Sequence, residues 1–171
     1  TLPDSVQIVG DSAFSGCTGL TGTLTLGSSL QTIGAGAFHF CPFSGDLVIP
    51  DNVTSIGDSA FYISDYLRPE TQGTLTLGKN LRTIGAFAFR ESTYTGSLTI
   101  PDSVVEIGKG AFYQCENLNG TLTLGRSLRT IGKEAFYWCA FTGSLTIPEG
   151  VAEIADGAFS SLHQFNRDRM F

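Results

Sequence analysis

An Ala-Phe pair returns at near-constant spacing along the chain, and that period limits the possible fold more than any other feature. The phenylalanines are Phe14, Phe38, Phe61, Phe89, Phe112, Phe136 and Phe159, separated by steps of 24, 23, 28, 23, 24 and 23 residues. A Leu-x-Ile-Pro or Leu-x-Leu-Gly run precedes every pair after the first, then an apolar residue and Ile-Gly, with Val9-Gly10 in the first coil and Ile154-Ala155 in the last. A Cys, Ser or Leu follows each Phe by three positions. A segment this short cannot enclose a core of its own, so it buries its apolar side only by stacking on copies of itself. The sequence therefore predicts one solenoid over residues 1–165. Its seven coils span 1–22, 23–45, 46–73, 74–96, 97–120, 121–143 and 144–165, and a short polar tail follows at 166–171.

Within a coil, Thr-Leu-Thr-Leu or Ser-Leu-Thr-Ile alternates with period two, the pattern of a half-buried strand with its threonines outward. Stacked coils then give a parallel sheet of short strands on this side. The Val-x-x-Ile-Gly segment is expected to form the opposite wall, with at most a weak strand. The glycine after the isoleucine (Gly10, Gly34, Gly57, Gly85, Gly108, Gly132) marks a positive φ or a contact too close for a β-carbon. Ala155 takes this place in the last coil. Residues such as Asp58-Ser-Ala-Phe61 read as one helical turn that delivers the Phe to a central spine.

A slower rhythm runs through the stack. Pro3, Pro50, Pro101 and Pro148 end the strand of odd coils, whereas Gly27, Gly78 and Gly125 end it in even coils. The next column reads Asp4, Ser28, Asp51, Lys79, Asp102, Arg126, Glu149, with acid and base alternating from Asp51 onward. We read this column as setting register between neighbours rather than as a binding stripe.

The run Leu-Thr-Ile-Pro-Asp-Ser-Val-x-x-Ile-Gly-x-x-Ala-Phe-x-x-Cys, given in full at residues 98–115, resembles the BspA-like leucine-rich repeat of bacterial and protist surface proteins. The resemblance covers residues 1–165. It implies a right-handed leucine-rich-repeat solenoid with short parallel β-strands on the concave face and short extended or 3-10 segments on the other side. It also implies a secreted or cell-surface protein that binds other macromolecules. The Gly-Ser or Gly-Thr before each strand and the Leu-Gly ending of even coils depart from the pattern without threatening the fold. No capping element stands at either end, so a fragment of a longer array is expected.

No catalytic constellation emerges. His39 and His163 are the only histidines and occupy non-equivalent places; His39 is expected in an exposed turn. No nucleophile has a base beside it. Gly34-Ala-Gly36 and Gly108-Lys-Gly110 punctuate coils rather than open a nucleotide-binding helix. Neither a catalytic residue, a cofactor nor a metal ligand is expected. With 15% charged residues, a net charge of −6 and no Lys/Arg cluster, nucleic acid is not an expected partner. No run of 18 apolar residues suggests membrane insertion. Cys17, Cys41, Cys115 and Cys139 share the column after the Phe with Ser64, Ser92 and Leu162. They are expected as free, buried thiols, the rival being disulfides Cys17–Cys41 and Cys115–Cys139. Asn52 and Asn119 head glycosylation acceptor triplets.

Binding is expected on two surfaces. One is the outward threonine column Thr25, Thr76, Thr99, Thr123 and Thr146, a flat hydroxyl array interrupted by Val48 and Asp46. The other is the insertion at 62–73 in the 28-residue step, whose Tyr62, Tyr66 and Arg68 are of the types that anchor interfaces, though Ile63 and Leu67 could equally cap a gap in the core. The sequence thus predicts a monomeric, non-enzymatic interaction or adhesion module with a protein or glycan partner on a host or neighbouring cell surface. A structural spacer within a larger surface protein is the alternative, and ice or glycan binding through the threonines a remote one.

Overall fold

The computed structural model describes residues 1–67, 69 and 72–160. It is a parallel β-solenoid in which the seven phenylalanines stand in file. Successive rings lie 5.2–5.3 Å apart, with interplanar angles between 0° and 16°. Phe38, Phe89, Phe112 and Phe136 are buried completely or nearly so. Leu30, Leu81 and Leu128 from even coils and Val53 and Val104 from odd coils complete each layer. Burying one such ring contributes roughly 1.5–3 kcal/mol before entropy is counted.

The continuous sheet is not where the alternation of leucine and threonine places it. Seven two-residue strands join in one parallel ladder along the Ile-Gly wall, from Ile8–Val9 through Thr32–Ile33, Ser55–Ile56, Thr83–Ile84, Glu106–Ile107 and Thr130–Ile131 to Glu153–Ile154. Val9, Ile33, Ile56, Ile84, Ile107, Ile131 and Ile154 share one register. The threonine wall instead carries two separate pairs: Gly45–Val48 with Gln72–Thr76, and Leu98–Thr99 with Leu122–Thr123.

Close approach decides which wall is continuous. A β-carbon on Gly57 would fall 2.4 Å from the backbone nitrogen of Ala35 in the coil behind, and Gly34, Gly85, Gly108 and Gly132 are about as crowded, whereas Gly10 in the first coil has nothing within 4 Å. This column is therefore glycine for contact, and its φ is not positive. Left-handed residues lie two positions further on, at Ser12, Gly36, Ser59, Phe87, Gly110, Glu134 and Gly157, and again after the Phe at Gly16, Phe40, Glu91, Gln114 and Trp138. There the chain alternates. The amides of Gly36 and Phe38 donate forward to Asp58 and Ala60, while those of Ala37 and His39 close turns onto Gly34 and Gly36. The segment before each Phe is thus a chain of tight turns cross-linked to the next coil. The one 3-10 helix among the described residues, Asp65–Leu67, lies in the insertion.

All four cysteines are free, as expected, but only Cys41, Cys115 and Cys139 are buried; Cys17, in the first coil with no coil behind it, is half-buried. The thiols of Cys41, Cys115 and Cys139 donate to the carbonyls of Phe14, Phe89 and Phe112 in the preceding coils, at 2.9, 3.1 and 3.1 Å. Burial pushes the Cys41 thiol up to about 11 and raises that of Cys139 as well. Ser92 keeps the polar role in this column, with its hydroxyl 3.2 Å from the Cys115 sulfur. Leu162, His163 and the tail at 166–171 lie outside the described residues.

Candidate functional site: a slotted threonine wall

The two-coil rhythm of the sequence has a backbone cause on the threonine wall. Odd coils grip the even coil that follows through carboxylates that accept amide hydrogens. On this wall Asp4 takes the Ser28 amide at 2.6 Å and Asp46 that of Thr74 at 2.7 Å; at the end of the Ile-Gly wall Asp11 takes that of Ala35 at 2.8 Å and Asp58 that of Ala86 at 2.7 Å. Asp51 and Asp102 accept the amides of Lys79 and Arg126 at 3.0 Å, and each also pairs with the same residue's cationic end at 2.6 Å. Opposite charges therefore do meet across this column, inside the coil pairs. Hydrogen bonds from Ser28 and Thr74 hold the Asp4 and Asp46 carboxyls below their ordinary range, and the Lys79 and Arg126 side chains do the same for Asp51 and Asp102.

Strand bonds on this wall follow the same pairing. The amides of Leu2, Ile49 and Ile100 in odd coils donate to the carbonyls of Thr25, Thr76 and Thr123 in the next even coils, at 2.8–2.9 Å. The proline ending the odd strand presses its carbonyl against the glycine of the even one. On Gly125, a β-carbon would lie 2.1 Å from the Pro101 oxygen. That contact accounts for Pro in one coil and Gly in the next.

Between pairs the wall opens. The amides of Leu24, Leu26, Leu77 and Leu124 occupy the equivalent donor positions in even coils, and none finds an acceptor among the described residues. Each odd coil is entered through a glycine with positive φ, Gly45 (75°), Gly96 (84°) or Gly143 (81°), which turns its strand away from the coil behind. Both ends of the first two openings stay tied. Between coils two and three the Ser44 amide reaches the Gly22 carbonyl at 3.2 Å, and the Asn52 side chain reaches that of Ser28 at 2.8 Å. Between coils four and five the ties are Thr95 to Gly73 at 2.8 Å and Ser103 to Leu81 at 2.6 Å. The result is a series of short slots.

Two shallow depressions follow the slots. One, about 520 Å³, is bordered by Thr23, Thr25, Asp46 and Val48. The other, about 660 Å³, is bordered by Thr74, Thr76, Ser97, Thr99, Asp102 and Thr123. Of the threonines singled out in the sequence, Thr25 belongs to the first and Thr76, Thr99 and Thr123 to the second. Thr146 is exposed but lies in the last coil, outside both. The slots themselves escaped sequence reasoning. Their signal was the glycine that enters each odd strand after the first, as in Gly96-Ser97, where the Gly-Ser was read as a harmless insertion.

The insertion surface is assembled separately. Tyr66 sits on the 3-10 helix with 81% of its surface exposed, the most of any large apolar side chain among the described residues. Tyr62 is half-buried, and Arg68 lies outside the described residues. Ile63 is buried and Leu67 half-buried, so the loop does cover core, above a small gap between Phe38, Phe61 and Tyr94. Tyr62 belongs to a ladder that the sequence did not disclose. His39 stacks on Tyr62 at 5.0 Å, the Arg90 guanidinium lies 4.9 Å from Tyr62 and 5.3 Å from Tyr113, and Tyr113 stacks on Tyr137 at 5.0 Å. The buried Glu91 fixes Arg90 at 2.8 Å. His39 is accordingly half-buried rather than exposed. Its Nε2 is enclosed without a hydrogen-bond partner, and burial lowers its pKa.

Comparison with known proteins agrees with this architecture. The sequence profile of the BspA type leucine rich repeat region matches residues 1–71 and 68–167, in six copies. Among solved structures, a leucine rich repeat protein from T. pallidum is 25% identical, with a TM-score of 0.69 over 94% of this chain and 77% of that one. A protein described as a leucine rich cell surface protein, from Faecalibacterium prausnitzii A2-165, is 26% identical, with a TM-score of 0.51 over 95% of this chain. The chain spans 50% of that protein's length. No curated protein is significantly similar to it.

Proposed function

The chain belongs to the BspA-type leucine-rich repeat family, and from that footing we propose that it is a non-enzymatic recognition module of a secreted or cell-surface protein, holding a macromolecular partner along its threonine wall. The observation that carries this reading is the set of unbonded amides on even coils, opening onto depressions bordered by exposed threonines. A wall serving only to stack coils would close these bonds, as the Ile-Gly wall does at every step. A surface location is supported by the family and by the description of the F. prausnitzii neighbour. Tyr66 supplies a second, independent contact on the insertion.

The test is binding of fluorescently labelled chain to intact bacterial and mammalian cells, read by flow cytometry. Saturable binding that is lost in Thr76→Arg/Thr99→Arg, with an unchanged circular dichroism spectrum, supports the reading. The absence of saturable binding would instead favour a spacer.

A further inference from the structure

The slots specify hydrogen-bonding chemistry more narrowly than the wall as a whole. One lip carries amide donors, Leu24 and Leu26 in the first slot, Leu77 in the second and Leu124 in the third. The facing lip carries the carbonyls of Val48 and Thr99 in the first two, which receive no amide from the coil behind. An inserted peptide strand would pair with both lips, but it needs about 9.6 Å between them, twice the strand spacing. The tied ends and the phenylalanine file, which advances only 5.2–5.3 Å per coil, forbid that width.

A hydroxyl is the narrow group that accepts from an N–H and donates to a C=O at once. The surroundings match it. The borders are mostly hydroxyls, and the charges of Asp51 and Asp102 are cancelled by Lys79 and Arg126; Asp46, at the first slot, keeps its carboxylate on the Thr74 amide and hydroxyl. The slots recur every second coil, about 10 Å apart along the axis. We propose that the partner of the threonine wall is a neutral linear polysaccharide lying along the solenoid axis, with hydroxyl groups entering successive slots. This rests on the reading of that wall as the binding face.

The test is a ¹⁵N-resolved NMR titration of the chain with cellohexaose, xylohexaose and mannohexaose. At least one is expected to shift the amide resonances of Leu24, Leu26, Leu77 and Leu124 saturably. Thr99→Arg, which fills the middle slot, should weaken that binding roughly tenfold, the equivalent of one or two hydrogen bonds. Thr83→Arg on the Ile-Gly wall should leave it unchanged. Silence of these amides toward all three probes overturns the proposal. If they are silent while cell binding remains sensitive to Thr99→Arg, the polysaccharide falls and the wall stands. If Thr99→Arg alters neither, both fall.

Discussion

Truncating Phe112 to alanine tests the stacked spine directly. Its ring is fully buried and contacts Phe89 and Phe136, each at 5.3 Å and nearly parallel. Removing a buried phenylalanine costs about 3–5 kcal/mol through lost transfer energy and the cavity left behind. The loss of two stacked neighbours places Phe112 toward the upper end of that range. Phe14 provides the internal control, because it is half-buried and stacks within the file only on Phe38. Phe14→Ala should therefore cost about half as much, in the range of 1.5–3 kcal/mol given for burying a side chain. In a chain of this size each kcal/mol lowers Tm by about 2–4 °C, so Phe112→Ala should melt roughly 10–15 °C below the parent. Urea unfolding followed by far-ultraviolet circular dichroism measures both variants. A coil stack is a linear array, so the m-value must be compared as well. A smaller m for Phe112→Ala means that the array has split at the central coil. Equal losses at Phe112 and Phe14 would refute the idea that stability is distributed by position in the file.

Three further outcomes follow from the coil contacts. Gly57→Ala should destabilise by about 1–3 kcal/mol or more, because its β-carbon meets the Ala35 backbone, whereas Gly10→Ala, with nothing within 4 Å, should be close to neutral; thermal melts of the two separate contact from backbone freedom. Hydrogen exchange should be faster at the unbonded amides of Leu26 and Leu77 than at those of Gly57 and Gly85, which donate to Ile33 and Ile56 at 2.8 Å; equal protection would mean that the slots are closed in solution. The depressed carboxyls of Asp4, Asp46, Asp51 and Asp102 contribute stability that is present above the unfolded-state value of about 3.9 and is lost as pH falls through the lower folded-state values. Melts across the acid range should show this decline, and Asp51→Asn/Asp102→Asn should flatten it.

Features repeated in every coil were legible in the sequence because each coil states them independently. The phenylalanine file, the parallel stack and the free thiols needed only the period and the residue types in its columns. Local propensity misled where pairing depended on the gap between coils. Thr74-Leu-Thr-Leu77 is the better strand by alternation and β-branching, yet the unbroken ladder runs through pairs as short as Ser55–Ile56. A strand joins a sheet only if the neighbouring coil comes within bonding distance, and a β-carbon at Gly57 would prevent that. The Arg90 ladder was hidden for a similar reason. Its column mixes His39, Tyr62, Arg90, Tyr113 and Tyr137, which share no chemical class until they are stacked face to face.

The alternating column shows how a visible pattern can carry more than its first explanation. Read as charges, Asp51, Lys79, Asp102 and Arg126 suggest exposed ion pairs, which solvent screens. Yet Asp4, with Ser28 opposite, and Asp58, with Ala86 opposite, make the same carboxylate-to-amide bond without any cation. The amide bond is therefore the common element, and the charge of the following residue is an addition to it. A carboxylate clamps only forward, onto the next coil, so alternating it with Ser, Lys or Arg necessarily makes pairs. The same pairing assigns Pro and Gly to opposite coils and places a positive-φ glycine at every entry from one pair to the next. Replacing Asp46 and Asp51 by residues that cannot accept an amide would loosen the third coil from the fourth while leaving the slot behind it in place. The structural unit of this solenoid is thus two coils, and its openings to solvent fall where one unit ends and the next begins.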